Sequence, residues 1–216
     1  MRRKLGSLAA VAVGVLALAA LTASSQPPSN VVPPTGKVAG HGYAYWMQRH
    51  WQFAFNLSKS SPQSRNHCQS LTANGKRVAF LIGAGTGTQA CSESVGRPIY
   101  VNLVSADCAT YSGQHPGFGT SDAQLRLCSR KYFAGVGTVS ATVDGQVVDV
   151  KALVTATGAF PVHAVAGNVL GVSAGNGRAA AYGIGLLLSG FSRGTHTIHC
   201  IAPTVGANVT WTIRTS

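Results

Sequence analysis

The sequence contains few acidic side chains. Only five residues are Asp or Glu, against 17 Lys and Arg and seven His, so the formal net charge is +12. Glycoside hydrolysis usually needs two carboxylates across the scissile bond. Two of the five acids, Asp122 and Asp144, lie at a predicted helix start and a predicted turn. The remaining three, Glu93, Asp107 and Asp149, offer little support for carboxylate-based catalysis.

Some signatures of metal, nucleotide and nucleic-acid sites are also absent. No Cys-x-x-Cys pair is present to seed a zinc site. The glycine-rich segment at residues 83–87 lacks the Lys-Ser/Thr ending of a phosphate-binding loop, so we interpret it as the turn of a hairpin. Basic residues are spread along the chain without a nucleic-acid-binding motif. We therefore predict no metal ion, no cofactor and no sequence-specific binding of nucleic acid.

The N-terminal 25 residues have the pattern of a secretory signal peptide. Arg2, Arg3 and Lys4 precede a largely apolar run at 5–21, and small residues follow it. We expect cleavage near residues 23–25, a secreted or cell-envelope location, and no transmembrane segment in the processed chain. An uncleaved membrane anchor is the alternative, since the run is at the lower edge of spanning length. Loss of the three basic residues would lower the net charge from +12 to +9.

All five cysteines lie beyond this N-terminal segment. In an oxidising compartment they predict a disulfide framework, although spacing alone does not determine the pairing. We expect Cys108 to pair with Cys128, which closes a glycine-rich loop onto a short helix. We expect Cys68 to pair with Cys91 around a strand. Cys200 would then be free and buried in the penultimate strand.

The chain is predicted to form one domain after an N-terminal tether. Residues 26–40 are rich in Pro, Ser and Val, which favours extended, solvated chain. The disulfide-containing domain is expected over residues 41–216. Apolar residues at helical spacing predict an aromatic helix over 43–57 and a second helix over 122–133, capped by Thr120 or Ser121.

The rest of the domain is predicted to be strands and turns. Short apolar runs bounded by turn residues indicate strands, and Asp144-Gly145 has the residues of a type I′ hairpin between residues 139–143 and 147–157. We predict a mainly β fold, a β-sandwich or jelly-roll-like domain with one or two short helices. The other predicted strands are 77–82, 98–104, 181–189, 195–202 and 208–214.

The order of several short motifs adds a family resemblance. An aromatic helix is followed by a Cys and a Phe-Leu-x-Gly strand, a Cys-x-x-x-x-Gly-x-Pro strand, a Val-Asp-Gly hairpin and a Gly-x-His-Thr-Ile strand. In this chain these are Tyr45-Trp46 to Trp51, Cys68 with Phe80-Leu81-Ile82-Gly83, Cys91 to Pro98 and on to Asn102, Val143-Asp144-Gly145, Asn168-Val169-Leu170-Gly171, and Gly194-Thr195-His196-Thr197-Ile198. Over residues 42–202 this order resembles a family of exported bacterial proteins of uncharacterised function.

The resemblance implies export and a β-rich domain, and it brings no known reaction. The chain departs from the pattern at His50 and Phe53, where that family usually carries Trp. It also departs at Tyr182, where that family tends to have Asp before Gly. If that Asp holds a ligand or metal in relatives, this chain lacks the group.

The His and Cys residues at 196–200 resemble a metal-binding cluster in sequence, but the geometry of a strand argues against one. A strand alternates its faces, so His196, Ile198 and Cys200 share one side and His199 points to the other. We interpret these residues as structural. An extracellular hydrolase is the alternative function, with His163, His196, Asp107 and Glu93 as its candidate residues.

We expect a non-catalytic binding or interaction domain that acts at the envelope or outside the cell. Its candidate ligand-binding residues are Trp46 and Trp51 in the aromatic helix and the adjacent cations Arg130 and Lys131. The basic composition predicts an anionic envelope polymer or glycan as partner, bound in a salt-sensitive way. A purely structural role in the envelope is a further alternative. Core packing is the alternative for the aromatic residues.

Overall fold

The computed structural model describes residues 28–65, 67–82, 85–111 and 117–216. The predicted signal peptide, residues 1–25, lies outside this part of the chain. The helices are α1 (Tyr43–Phe55) and α2 (Asp122–Ala134). The strands are β1 (Cys68–Ala73), β2 (Lys76–Leu81), β3 (Thr86–Glu93), β4 (Ile99–Ala109), β5 (Gly117–Phe118), β6 (Ser140–Val143), β7 (Gln146–Val147), β8 (Val154–Ala156), β9 (Phe160–Ala164), β10 (Gly175–Leu188), β11 (Gly194–Ala202) and β12 (Ala207–Thr215).

The strands form two mixed sheets. The first has the order β1-β2-β4-β10-β8, with β5 paired to β4 and β9 paired to β10, and the second has the order β3-β12-β11-β6-β7. Most neighbours are antiparallel, whereas β2 with β4, β4 with β5 and β3 with β12 are parallel. One hydrophobic cluster contains residues of both sheets and of α1. The prediction of a mainly β domain with short helices is confirmed.

Helix α1 packs its aromatic face onto the first sheet. Trp46 is fully buried and its ring stacks on that of Tyr100 in β4, with 6.4 Å between centroids. Gly185 in β10 leaves room for the same tyrosine, because a Cβ at this position would lie 2.6 Å from the Tyr100 hydroxyl. The predicted helix at 43–57 is therefore present and ends two residues earlier, at Phe55.

The second predicted helix and the hairpin have the local chemistry that the sequence indicated. The Ser121 side chain accepts a hydrogen bond from the backbone N–H of Gln124 at the start of α2, as an N-cap does. Asp144 and Gly145 both have positive φ, at 49° and 78°, as a type I′ turn requires. The hairpin of β6 and β7 is confirmed, as are the strands predicted at 77–82, 195–202 and 208–214, within a residue or two.

Three parts of the prediction differ from the structure. The return strand of the hairpin is short, because the chain leaves it after β7 and β8 pairs with β10 in the other sheet. The segment at 83–87 does not connect a hairpin, since Thr86 already lies in β3 on the second sheet. Residues 83 and 84 lie outside the described residues. Strands β4 and β10 are also longer than predicted, and β1, β3, β5 and β9 were not predicted.

The described part of the predicted tether packs against the domain. Val31 pairs with Leu188 of β10, and the Val32 and Val38 side chains are buried. The Tyr43 hydroxyl donates a hydrogen bond to the Val32 carbonyl. The proline-rich composition does favour extended chain, but valines at intervals give that chain apolar side chains to bury. Residues 28–40 are therefore part of the folded domain, contrary to the prediction.

Both predicted disulfides are present. Cys68–Cys91 joins β1 to β3, which lie at the edges of different sheets, and its Cα atoms are 5.7 Å apart. Cys108–Cys128 joins β4 to α2, with 6.0 Å between Cα atoms. Cys200 is free and buried, and burial raises the pKa of its thiol to about 11. Two disulfides are typical of proteins that fold in an oxidising compartment.

Candidate functional site

A large cleft lies where α1, β4, the end of α2 and β12 meet, and we call it the apolar cleft. Its volume is about 680 Å³, within the range of roughly 300–1,000 Å³ that small-molecule sites occupy. None of the described residues that line it carries a charged side chain. They are His50, Trp51, Phe53, Ala54, Leu57, Ile82, Gly85, Asn102, Leu103, Val104, Ser105, Ala106, Tyr132, Gly135, Val136, Val169, Leu170, Val205, Ala207 and Val209.

A bulge in β4 forms one wall of the apolar cleft. The pairing with β10 runs from Ile184 opposite Val104 to Gly185 opposite Asn102, so Leu103 has no partner in β10. All five residues at 102–106 line the apolar cleft. A bulge bends its strand and re-aims its side chains, and bulges are common beside binding sites. The irregular register is thus located at the candidate site.

Two polar contacts lie within this mostly apolar lining. The Asn102 side-chain nitrogen Nδ2 lies 3.1 Å from His50 Nε2. The indole N–H of Trp51 donates to the Ser105 hydroxyl at 3.2 Å. Both contacts join α1 to β4, so the helix is held over the cleft by polar groups as well as by packing.

The His50–Asn102 pair has unused hydrogen-bonding capacity. Each of the two side chains is only 7% exposed, and among the described residues neither His50 Nδ1 nor Asn102 Oδ1 has a hydrogen-bond partner. Burial lowers the pKa of His50 to about 4, so the imidazole is neutral at neutral pH. Whichever way the amide is oriented, the bond between the two side chains leaves at least one donor and one acceptor of the pair unused. His50 Nδ1 and Asn102 Oδ1 are themselves buried, so they are unsatisfied inside the fold and do not belong to the open surface of the cleft.

The structure separates the two predicted tryptophans. Trp51 lines the apolar cleft, whereas Trp46 has 0% exposure and donates its indole N–H to the His41 carbonyl at 3.2 Å. Trp46 therefore has no surface for a ligand and belongs to the core. The reason is their position on α1: Trp46 faces the sheet and Trp51 lies towards the cleft.

Arg130 and Lys131 lie on the exposed side of α2, away from the lining of the apolar cleft. The Arg130 guanidinium is 5.7 Å from the centroid of the Tyr182 ring. The two cations therefore form a separate surface from Trp51.

The structure does not assemble the four candidate hydrolase residues into one site. Glu93 forms an ion pair with Arg97, and His163 Nδ1 lies 2.8 Å from the side-chain oxygen of Asn176. Asp107 is fully buried, and this burial raises its pKa well above the ordinary value. Among the described residues, no group of three or more His, Cys, Asp or Glu is placed to hold a metal ion.

His196, the fourth candidate, has an acidic partner and a nearby serine. Its Nδ1 lies 2.8 Å from Asp144 Oδ2, and its Nε2 lies 3.1 Å from the carbonyl oxygen of Ser192. Ser192 is the centre of a Gly-x-Ser-x-Gly pattern at 190–194 that sequence reasoning missed. In a catalytic triad the imidazole contacts the serine hydroxyl, and the pattern lies between a strand and a helix. Here the contact is to the carbonyl and the pattern connects β10 to β11, so the arrangement differs from a catalytic triad and a nucleophile elbow in these two respects.

A second Gly-x-Ser-x-Gly pattern, at 171–175, was also missed. Its Ser173 is exposed in the loop that leads into β10. Among the described residues, no hydrogen bond joins Ser173 to a histidine or a carboxylate. This pattern also lacks the strand–turn–helix context of a nucleophile elbow.

Several motifs of the family resemblance have structural roles. Asp144 of the Val-Asp-Gly turn accepts a hydrogen bond from the Thr197 N–H at 2.7 Å, which joins it to the Gly-x-His-Thr-Ile strand. Asn168 is fully buried, and its side chain bonds the backbone of Val165 and Val172. These residues hold turns and loops in place through their side-chain hydrogen bonds.

The length and hydropathy of the helices bear on whether a helix of this chain can cross a membrane. No helix in the described ranges is both long enough and apolar enough to span a bilayer.

Comparisons with known proteins add no family. No family model matches the chain, and no curated protein or solved structure matches it. The resemblance to exported bacterial proteins therefore stays a prediction from the sequence.

Proposed function

We propose that this chain is an exported, non-catalytic binding protein that takes an uncharged, largely apolar small molecule into the apolar cleft. The observation that carries the proposal is the contrast in charge between the residues that line the cleft and the chain as a whole. The sequence is strongly basic, yet no described residue that lines this cleft of about 680 Å³ is charged. A charged ligand would lose its hydration there without gaining a partner.

The polar groups of the cleft favour a ligand with one uncharged polar end. The half-buried Ser105 on the β4 wall accepts the Trp51 N–H and, among the described residues, keeps its own O–H for a ligand, whereas the unused atoms of the His50–Asn102 pair are buried. The other lining residues are mostly aliphatic and aromatic. An apolar body with a hydroxyl or amide group has the chemistry that matches this arrangement.

The same residues support binding over catalysis. A general base works best when its pKa is close to the operating pH. His50 is the histidine that lines the cleft, and burial lowers its pKa to about 4. Export is supported by the N-terminal sequence pattern and by the two disulfides.

The test fills the cleft and measures binding of the neutral dye Nile red. Ala54 lines the cleft and is half-buried, so Ala54→Phe extends a ring into the space that a ligand needs. We expect saturable binding to the wild type and a loss of at least about tenfold in A54F. Ala123→Phe is the matched control, because Ala123 is an exposed residue of α2 outside the cleft.

A second variant that fills the cleft helps to distinguish a blocked cleft from a folding defect. Leu170→Trp enlarges another residue that lines the cleft, and thermal unfolding shows whether each variant folds. Weaker binding by both folded variants with unchanged binding by A123F would support the proposal. Absence of saturable binding to the wild type, or equal binding by the folded filling variants and the control, would contradict it.

A further inference from the structure

A second cavity lies between α1 and the paired strands β9 and β10, and we call it the polar groove. Its volume is about 510 Å³, within the range of roughly 300–1,000 Å³ that small-molecule sites occupy. Helix α1 contributes Arg49, Gln52 and Phe53 to the lining, and Asn56 follows at its C-terminal end. These positions have the i, i+3, i+4, i+7 spacing of one helix face. Phe53 is the α1 residue that the polar groove shares with the apolar cleft.

Strands β9 and β10 supply further polar groups. His163 of β9 pairs in register with Asn176 of β10, and His163 Nδ1 lies 2.8 Å from the side-chain oxygen of Asn176. The side-chain N–H of Gln52 donates to the Pro161 carbonyl at 2.9 Å, which joins α1 to β9 although the two residues are 109 positions apart. The elements that border the polar groove are therefore tied to one another.

Arg49 carries the charge of the polar groove and has no partner within the fold. Its side chain is half-buried, and among the described residues its guanidinium forms no hydrogen bond and no ion pair. None of the described residues that line the groove is Asp or Glu. A guanidinium that is partly removed from water favours an anionic partner, and its planar set of N–H donors fits a carboxylate through two parallel hydrogen bonds.

The other polar residues of the groove are amides and an imidazole, which together carry donors and acceptors. Among the described residues, neither the exposed Asn56 side chain nor His163 Nε2 has a hydrogen-bond partner. Groups of this kind match hydroxyls, which also donate and accept. Phe53 and Pro161 add apolar ring surfaces to the lining, which suit the C–H face of a sugar ring.

We propose that the polar groove binds an acidic sugar, a pyranose with one carboxylate, through Arg49. A neutral sugar would leave the guanidinium unpaired, and a short carboxylate without hydroxyls would leave Asn56 and His163 unused. A phosphate ester with two negative charges would find a single Lys or Arg among the described lining residues. The inference stands independently of the ligand in the apolar cleft.

The test measures binding of galacturonate by isothermal titration calorimetry, with galactose as the neutral analogue. We expect saturable binding of galacturonate. Galactose should bind at least about tenfold more weakly, because hydrogen bonds to a charged group contribute at least this factor. Trigalacturonate distinguishes the two sources of such a ligand. Binding at least as tight as that of galacturonate would identify an acidic polysaccharide, and weaker binding would identify the free sugar acid.

Substitutions of Arg49 separate the recognition of a carboxylate from general charge. Arg49→Gln should weaken galacturonate binding by at least about tenfold and leave galactose binding nearly unchanged. Arg49→Lys should give an intermediate affinity, because lysine keeps the charge and loses the two-bond geometry. Arg193→Gln is the matched control, since it removes the same charge from an exposed residue outside the groove.

A second variant tests the groups that match hydroxyls. His163 is exposed on β9, so His163→Ala should fold, and it should weaken binding of galacturonate several-fold. Thermal unfolding shows whether each variant folds. Nile red binding has no part in these measurements, so the polar groove and the apolar cleft are tested separately.

Four outcomes would overturn the proposal. Equal loss in R49Q and R193Q would show that only the net charge acts. Galactose that binds as tightly as galacturonate would exclude a role for the carboxylate, and acetate that binds as tightly would exclude recognition of the sugar. Absence of saturable binding of both galacturonate and trigalacturonate to the folded wild type would exclude the site.

Discussion

At the scale of single residues, burial changes the chemistry of His50. The side chain lies between α1 and β4, where Asn102 lies within hydrogen-bond distance of Nε2 and the remaining neighbours are largely aromatic. Loss of hydration lowers its pKa from 6.5 to about 4. The folded state therefore keeps His50 neutral at pH values where the unfolded chain binds a proton.

We predict that His50 contributes to acid sensitivity. Because the pKa in the folded state is the lower one, its contribution to the free energy of unfolding is present above pH 6.5 and is lost as the pH falls towards 4. The loss should amount to roughly 3 kcal/mol. Urea unfolding at a series of pH values should show that the free energy of unfolding of the wild type falls as the pH falls. In His50→Gln this fall should be smaller by roughly 3 kcal/mol.

The comparison of the two proteins removes the contributions of other groups. Asp107 acts in the opposite direction, since its raised pKa adds stability as the pH falls. Both proteins contain it, so the difference between their curves reports His50. Parallel curves for wild type and H50Q would contradict the pKa shift.

At the scale of elements, the β6–β7 hairpin depends on a single turn residue. Asp144 has positive φ, which asparagine and aspartate tolerate better than other residues with a side chain. Its two carboxylate oxygens contact the Thr197 N–H and His196 Nδ1 of the neighbouring strand β11. The turn is therefore attached to the second sheet through its side chain as well as through its backbone.

We predict that the two substitutions Asp144→Ala and Asp144→Asn differ in cost. Alanine is strained at positive φ and removes both hydrogen bonds, so D144A should lower the free energy of unfolding by about 2–3 kcal/mol. Asparagine tolerates this conformation and keeps one acceptor oxygen, so D144N should cost about 1 kcal/mol. Thermal unfolding of the three proteins measures the difference, and equal costs would show that neither backbone strain nor the Thr197 bond matters.

At the scale of the whole molecule, Cys68–Cys91 ties the two sheets together at their edges. Strand β1 ends the order of the first sheet and β3 ends that of the second. The opposite ends of the two sheets, at β8 and β7, are not joined by a disulfide among the described residues. Hydrophobic contacts in the shared core hold the rest of the sandwich.

We predict that removal of this bridge destabilises the whole domain. The bridge closes a loop of 23 residues, so Cys68→Ser with Cys91→Ser should lower the free energy of unfolding by about 3 kcal/mol on the chain-entropy model. Guanidinium unfolding measures it. Cys200→Ala is the control, because it keeps both bridges and should respond to a reducing agent as the wild type does. A C68S/C91S protein as stable as the wild type would show that core contacts alone hold the sheets.

Some structure could be predicted because it depends on neighbours in sequence. The helical spacing of α1 and α2, the Ser121 cap and the Asp144-Gly145 turn are local features, and each is present in the structure. Asn74-Gly75 carried an equally clear signal: both residues have positive φ and connect β1 to β2. Strand β1 was therefore predictable from the sequence and was missed.

The sequence by itself determined the basic charge, the scarcity of carboxylates, the strand-rich composition and the local turns, because these need no knowledge of distant contacts. Only the tertiary structure decided which sheet each strand joins, that residues 28–40 pack on the domain, and that Trp51 lines a cleft while Trp46 is core. His50 and Asn102 meet although they are 52 residues apart. Such contacts follow from how the chain folds back on itself, and no local pattern records them.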